Sequence, residues 1–230
     1  MGQSRERRFA DGEMLLVRKP AGWTSFDVVH RIRRITGVRK VGHAGTLDPL
    51  ATGLLIVCTG KKTKEISSFM GLEKEYEVEM TLGARTASFD AATPVIETRP
   101  TDGITADAVR ATLAGFTGPR LQVPPMWSAV SVSGKRLYRY ARQGVEVARA
   151  PREIVIYGLD PLDIRIPVVR FRVTCSKGTY VRSLVDEMGR DLGCGAYVTG
   201  LERTRIGPYT LAEAETLEEL AAAGAAQGTA

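Results

Sequence analysis

The sequence predicts an α+β fold, a mixed and largely antiparallel sheet flanked by helices. Three observations carry that expectation. Residues 74–83, KEYEVEMTLG, alternate, with Tyr76, Val78, Met80 and Leu82 on one face and Glu75, Glu77, Glu79 and Thr81 on the other. Val169, Phe171, Val173 and Cys175 alternate in the same way with Arg170, Arg172 and Thr174. Period two marks a strand with one buried face. Val181, Leu184, Val185, Met188 and Leu192 instead recur at helical spacing, which puts Arg182 in the first turn of a helix. Strands and helices are mixed without a regular βαβ rhythm, so an α+β sheet is expected rather than a doubly wound parallel one.

From the N-terminus, Met14–Val17 reads as a short strand, and KPAGW then turns the chain. Thr24 or Ser25 can cap a helix whose apolar positions are Val28, Val29, Ile32 and Ile35, with Arg31, Arg33 and Arg34 on the other side. The continuous apolar run Leu54–Val57 predicts a buried strand. Residues 105–116 fit a short helix capped by Thr105; 127–132 predict a strand, 133–135 (SGK) a turn, and 137–144 a brief helix rich in Arg and Tyr. Thr216 and Glu219 form a capping box for a last helix ending near Gly224. There is no internal repeat.

The chain has 230 residues, 43% hydrophobic and 25% charged, a length and composition suited to one large domain with at most a small insertion. No apolar run approaches the length that crosses a bilayer, and the charged start MGQSRERRFADGE does not read as a secretory signal. Cys58, Cys175 and Cys194 lie far apart, and with His30 and His43 they match no metal-binding spacing. A reducing cytoplasm is the expected location. Residues 1–40 alone carry the whole chain's net charge of +6, and 134–152 hold six basic residues against Glu146. Basic charge in two blocks is the footprint of a polyanion binder or of a solvated face.

Several familiar sites are excluded. TGKKT at 59–63 has Lys62 where a phosphate loop needs Ser or Thr, and GCGAYVTG at 193–200 lacks the third glycine of a dinucleotide fingerprint. Neither HxE with PCxxC nor GxSxG occurs. No metal or nucleotide cofactor is called for. The remaining question is Asp48, a lone carboxylate in GHAGTLDPLATGLL at 42–55. Glycines permit close backbone approach, and Pro49 restricts Asp48 to extended geometry. An aspartate on so rigid a loop is either a turn residue or a reagent.

KPAGWTS (19–25), GHAGTLDPLATGLL (42–55), KEY (74–76), QVPPMWSAV (122–130), GKRLYRYAR (134–142), SKGTYVRSL (176–184) and LERTRIGPY (201–209) together resemble the bacterial TruB-type tRNA pseudouridine(55) synthases. They stand in the family's order and cover nearly the whole chain to Tyr209. The resemblance implies the pseudouridine synthase catalytic fold, and isomerisation of the uridine at position 55 in the tRNA T loop, without cofactor. The reaction breaks the N–C glycosidic bond, turns the uracil and rejoins it through carbon 5. It needs a nucleophile, a proton acceptor for carbon 5 and a pocket that retains the detached base.

On that resemblance Asp48 is the nucleophile, and attack at ribose C1′ or at uracil C6 are both open. A carboxylate kept ionised in a closed pocket needs a cation, and Arg182 is the candidate. Tyr76 would stack on the target base, its hydroxyl a candidate proton acceptor. His43, Tyr180 and Leu201 fall where the family contacts the flipped nucleotide, and Lys19 is expected to buttress the catalytic loop. By residue type alone, Tyr76 is equally a core aromatic and Arg182 a surface arginine.

The target lies inside a folded T loop, so its extraction costs a few kcal/mol of stacking and pairing. Residues 122–152, with Trp127, Tyr138, Tyr140, Arg136, Arg139, Arg142 and Arg152, correspond to the family's RNA-gripping insertion. Within 83–93, Arg85, Thr86 and Asp90 are kept, but Thr93 replaces a glycine; Ser131 replaces a frequent lysine and Trp127 a tyrosine. The expected layout is a catalytic domain over 1–209 and an acidic tail over 210–230, too short for the PUA domain of longer members. The expected partner is the tRNA T stem-loop, with a monomer and neither a membrane nor a protein partner. Two other classes stay open: a tRNA-folding chaperone, and an aspartyl-phosphate phosphotransferase, since Asp48 begins a D-x-x-x-T run.

Overall fold

A computed structural model describes residues 9–132 and 134–225. Its elements in chain order are β1 (Met14–Lys19), α1 (Ser25–Thr36), β2 (Val41–Ala44), β3 (Thr52–Thr59), a 3-10 turn (Gly60–Glu65), α2 (Ile66–Gly71), β4 (Lys74–Leu82), β5 (Ala84–Thr86), β6 (Val95–Thr98), α3 (Ala106–Gly115) and β7 (Gly118–Gln122). Then follow β8 (Ser131–Val132), β9 (Lys135–Arg136), α4 (Leu137–Ala141), β10 (Arg152–Arg165), β11 (Val168–Cys175), α5 (Val181–Asp191), β12 (Ala196–Ile206), β13 (Tyr209–Thr210), a 3-10 turn (Leu211–Glu213) and α6 (Leu217–Ala225). The chain divides into two compact units, Met1–Glu75 with Glu202–Ala230, and Tyr76–Leu201.

In the first unit β3 runs antiparallel to β1 and β2, and parallel to β12 at residues 202–203. Its uninterrupted apolar run is explained by burial on both faces. Leu55 and Val57 pack with Val28, Val29 and Ile32 of α1 and with Leu217 and Leu220 of α6. Leu54, Ile56 and Cys58 pack on the opposite side with Phe69, Ile206 and Leu211. Thr24 is the N-cap of α1: its hydroxyl accepts from the Asp27 amide at 3.1 Å, and Asp27 returns a bond from the Thr24 amide at 2.8 Å. The box expected at Thr216 and Glu219 forms in the same way.

In the second unit the strand order is β12–β4–β11–β10–β7, with β10 antiparallel to both neighbours. Tyr76, Val78, Met80 and Leu82 of β4 are all buried, as their alternation predicts. Thr105 caps α3 by accepting from the Ala108 amide. The mixed, largely antiparallel sheet flanked by helices is the expected fold class.

One strand differs. Only Ser131–Val132 of the segment 127–132 is extended in a ladder. The prolines at 124 and 125 cannot donate to a sheet, and the Ser128 and Val130 carbonyls instead receive the Tyr138 and Leu137 amides. Ser133 of the SGK turn, Arg5, Arg7 and Arg8 of the basic start, and the tail beyond 225 lie outside the described residues.

Candidate active site

Asp48 sits on the loop 45–51 between β2 and β3, and the fold fixes that loop from several directions. The buried Ser25 hydroxyl accepts from the Leu47 amide at 2.9 Å and donates to its carbonyl at 3.3 Å, tying the loop to the first turn of α1. The Ala51 amide donates to Asp48 O at 3.1 Å, and the Gly22 amide to Pro49 O at 2.8 Å. Lys19, fully buried at the end of β1, donates to the carbonyls of Pro20 (2.9 Å), Trp23 (2.5 Å) and Pro49 (3.4 Å). Burial pushes its ammonium down to about 8, against the attraction of the Asp48 charge. Its ammonium thus ties the turn after β1 to the loop that carries Asp48.

Arg203 of β12 is a participant that sequence reasoning missed. It is 1% exposed and donates to Leu54 O at 2.7 Å and to Gly45 O at 3.2 Å, so it ties the start of the Asp48 loop to the strand that follows it. The glycine pattern held the signal. Gly53 adopts φ +101°, and a Cβ there would lie 2.4 Å from the Arg203 carbonyl oxygen. His43, on β2 opposite Val57, is held below the usual imidazole range by burial and then by the Arg203 charge. It is therefore neutral at pH 7, and its buried Nδ1 has no hydrogen-bond partner among the described residues.

Tyr76, Tyr180, Arg182 and Leu201 belong to the second unit. Tyr76 is 9% exposed on the buried face of β4, and Leu201 is half-buried in β12. Arg182 is not the surface arginine its helical position would allow: it is 3% exposed. Its guanidinium donates to Ser88 O (2.7 Å) and Trp127 O (2.9 Å) and pairs with the buried Asp90 carboxylate at 3.4 Å. Asp90 is itself held by the Ser88 hydroxyl and the Ala92 amide. Thr93, the departure in this loop, accepts from the Ser88 amide at 3.0 Å and so helps to shape it. Asp90 orients Arg182, a role not legible from its place in the chain.

Tyr180 precedes α5 and is clamped by one side chain, also missed. Gln122 accepts from the Tyr180 amide at 2.8 Å and donates to its carbonyl at 3.1 Å. Arg152, at the start of β10, places its guanidinium 5.8 Å from the Tyr180 ring. The other basic residues of the insertion, Arg136, Arg139 and Arg142, are exposed around α4, which the buried Leu137 anchors. Lys135 lies 4.4 Å over the Tyr140 ring and Arg142 5.6 Å from Tyr138, so rings and cations alternate on that surface.

Comparison with known proteins gives the family. The family model described as TruB family pseudouridylate synthase (N terminal domain) matches residues 33–181, and that of the tRNA pseudouridylate synthase B C-terminal domain matches 182–229. The chain belongs to the TruB family. It is an enzyme of tRNA modification, an isomerase that makes pseudouridine from uridine. It is 53% identical over 213 residues to the tRNA pseudouridine synthase B of Chlorobium luteolum, covering 90% of this chain and 74% of that one. To the Thermobifida fusca enzyme of the same name it is 49% identical over 221 residues, covering 93% and 75%.

Among solved structures, a Cbf5-Nop10-Gar1 complex matches with TM-score 0.74 and 31% identity, over 93% of this chain and 54% of that one. An H/ACA RNP bound to a substrate RNA containing 2'-deoxyuridine matches with TM-score 0.70 and 28% identity, over 93% and 53%. The chain thus spans about half the length of the chains in these two structures. Among the described residues no helix is long and apolar enough to cross a membrane. All three cysteines are buried, and burial raises the Cys58 thiol to about 11, so it offers no thiolate nucleophile at neutral pH.

Proposed function

We propose that the chain converts the T-loop uridine at position 55 of tRNA to pseudouridine, with Asp48 as the attacking carboxylate. The observation that carries this reading is the loop around Asp48, fixed by Lys19, Ser25 and Arg203 through backbone bonds that leave its geometry little freedom. A nucleophile that must meet one atom of an extruded base gains from such preorganisation. Asp48 holds one fragment while the glycosidic bond is broken and the uracil turned. Carbon 5 then bonds to C1′ and loses its proton, and N1 gains one. Tyr76 stacks on the base and is the candidate acceptor of the carbon 5 proton, and Arg182, oriented by Asp90, supplies positive charge. His43, neutral and half-buried, Tyr180 and Leu201 contact the flipped nucleotide. Arg136, Arg139, Arg142 and Arg152 of the 122–152 insertion hold the RNA, within a catalytic domain spanning 1–209.

Incubation with unmodified tRNA transcript, without added metal or nucleotide, followed by mapping of pseudouridine, tests this directly. Product at position 55 is expected. Asp48→Asn should abolish it while leaving tRNA affinity within about tenfold, or about 1.4 kcal/mol. Substantial product from the purified variant would remove Asp48 from the chemistry.

A further inference from the structure

The outward face of α1 carries a group of residues that neither the fold nor the Asp48 chemistry uses. The helix buries Val28, Val29 and Ile32, as an amphipathic helix should. Its other side holds Phe26, 57% exposed, together with exposed His30, Arg31 and Arg34, and the turn before it presents Trp23, 37% exposed. One exposed ring is ordinary on a protein surface. Here the Phe26 and His30 rings meet edge to face at 4.5 Å, and the Arg33 guanidinium lies 5.9 Å from the Phe26 ring centre. Gly22, Trp23, Asp27, His30, Arg31 and Arg34 line an open cavity of about 570 Å³.

The charges in that cavity select its occupant. Neither Arg31 nor Arg34 has a carboxylate within ion-pair distance among the described residues. The one acid present, Asp27, is committed to capping bonds with Thr24, which hold its carboxyl below the usual range. Two free cations beside exposed aromatic rings fit a nucleotide, the phosphate on arginine and the base on a ring. The cavity is also tied to the catalytic loop within the same unit. Lys19 bonds the Trp23 and Pro49 carbonyls together, and the Gly22 amide bonds Pro49 O at 2.8 Å. A ligand on Trp23 therefore rests on a turn that is hydrogen-bonded to the loop carrying Asp48.

The geometry points to a second RNA contact on α1: an unpaired nucleotide of the substrate RNA stacks on Trp23 or Phe26, and Arg31 and Arg34 take its flanking phosphates. This placement rests on the reading of Asp48 as the carboxylate that meets the uridine.

The test measures equilibrium affinity for unmodified tRNA transcript with the full chain carrying Asp48→Asn, so that turnover does not enter. Adding Trp23→Ala with Phe26→Ala should weaken binding by about fivefold to a hundredfold, the range for a lost base–aromatic stack. Trp23→Phe with Phe26→Tyr should restore most of it. Arg31→Gln with Arg34→Gln should flatten the dependence of log affinity on log salt by about 1.5, as two phosphate contacts are lost. All these side chains are exposed, so the variants are expected to fold.

Affinity within twofold for both alanine and glutamine pairs would overturn the contact. So would an equal loss in the ring-preserving pair, which would mean a packing effect. Failure of the pseudouridine reading is a separate result, no product from the unaltered chain, and these binding measurements do not depend on it.

Discussion

Lys19 is charged, buried and bonded to the loop that carries Asp48, and its removal has a calculable signature. Its ammonium is lowered from the ordinary 10.5 to about 8 by burial. Holding the proton at pH 7 therefore costs the folded state about 3 kcal/mol relative to the unfolded chain. Lys19→Met removes that cost but deprives the Pro20 and Trp23 carbonyls of their donor, at about 1–3 kcal/mol each. The two effects nearly cancel, so stability at pH 7 should stay within about 2 kcal/mol of the parent. The sign with pH is firm. Because the folded pKa is depressed, the unfolded chain binds more protons between about 8 and 10.5, and Lys19 adds stability as pH rises through that window.

Urea unfolding of parent and Lys19→Met at pH 7.5 and 9.5 isolates the lysine, since every other group titrates in both. The parent should gain about 2 kcal/mol on the variant over those two pH units. The variant should also lose single-turnover rate, because Pro49 O no longer shares an anchor with Trp23 O. Parallel stability curves would refute the claim that this ammonium is buried and destabilised, and an unchanged rate would refute the buttress.

Three further outcomes are expected. Arg182→Ala should cost about 3–5 kcal/mol of stability, since it leaves the Asp90 carboxylate buried and unpaired, and it should slow the chemical step more than it weakens tRNA binding in single-turnover assays. Arg182→Lys should rescue only part of that rate, because a point charge cannot serve Ser88 O, Trp127 O and Asp90 together. Gly53→Ala should destabilise by about 2–6 kcal/mol in denaturant titration, combining left-handed strain with backbone overlap against Arg203; a loss under 1 kcal/mol, roughly the cost of an ordinary surface change, would mean the two strands can separate freely there.

The elements that read clearly from sequence are those with one buried face. β4, β11, α1 and α5 each bury alternate or helically spaced residues, so the hydrophobic period reports them. β10 did not read as a strand: Gly158 and Pro161 interrupt it, and its register against β11 shifts at Ile156/Gly158 and at Pro161/Asp163. The apolar WSAV misled in the other direction, because its Ser128 and Val130 carbonyls are taken by the Tyr138 and Leu137 amides of α4 rather than by a partner strand. The loop carrying Asp48 was legible through its glycines and Pro49. Arg203, Asp90 and Gln122 were not, since a polar residue's burial depends on which distant carbonyl or carboxylate arrives beside it, and local pattern is silent on that.

The bond from Arg182 to the Trp127 carbonyl has a kinetic consequence. Trp127 belongs to the basic 122–152 segment, whereas Arg182 is sunk in the protein with almost no water to replace a lost acceptor. If the segment meets RNA as proposed, its seating and the buried guanidinium share one mechanical degree of freedom. On the proposed function, an RNA that draws the Trp127 carbonyl away leaves an N–H of Arg182 unsatisfied. The expected outcome is that poor substrates are filtered by turnover more than by residence: a mismatched RNA still binds through its phosphates and yet reacts slowly, because the proposed grip and the charge it aligns move together.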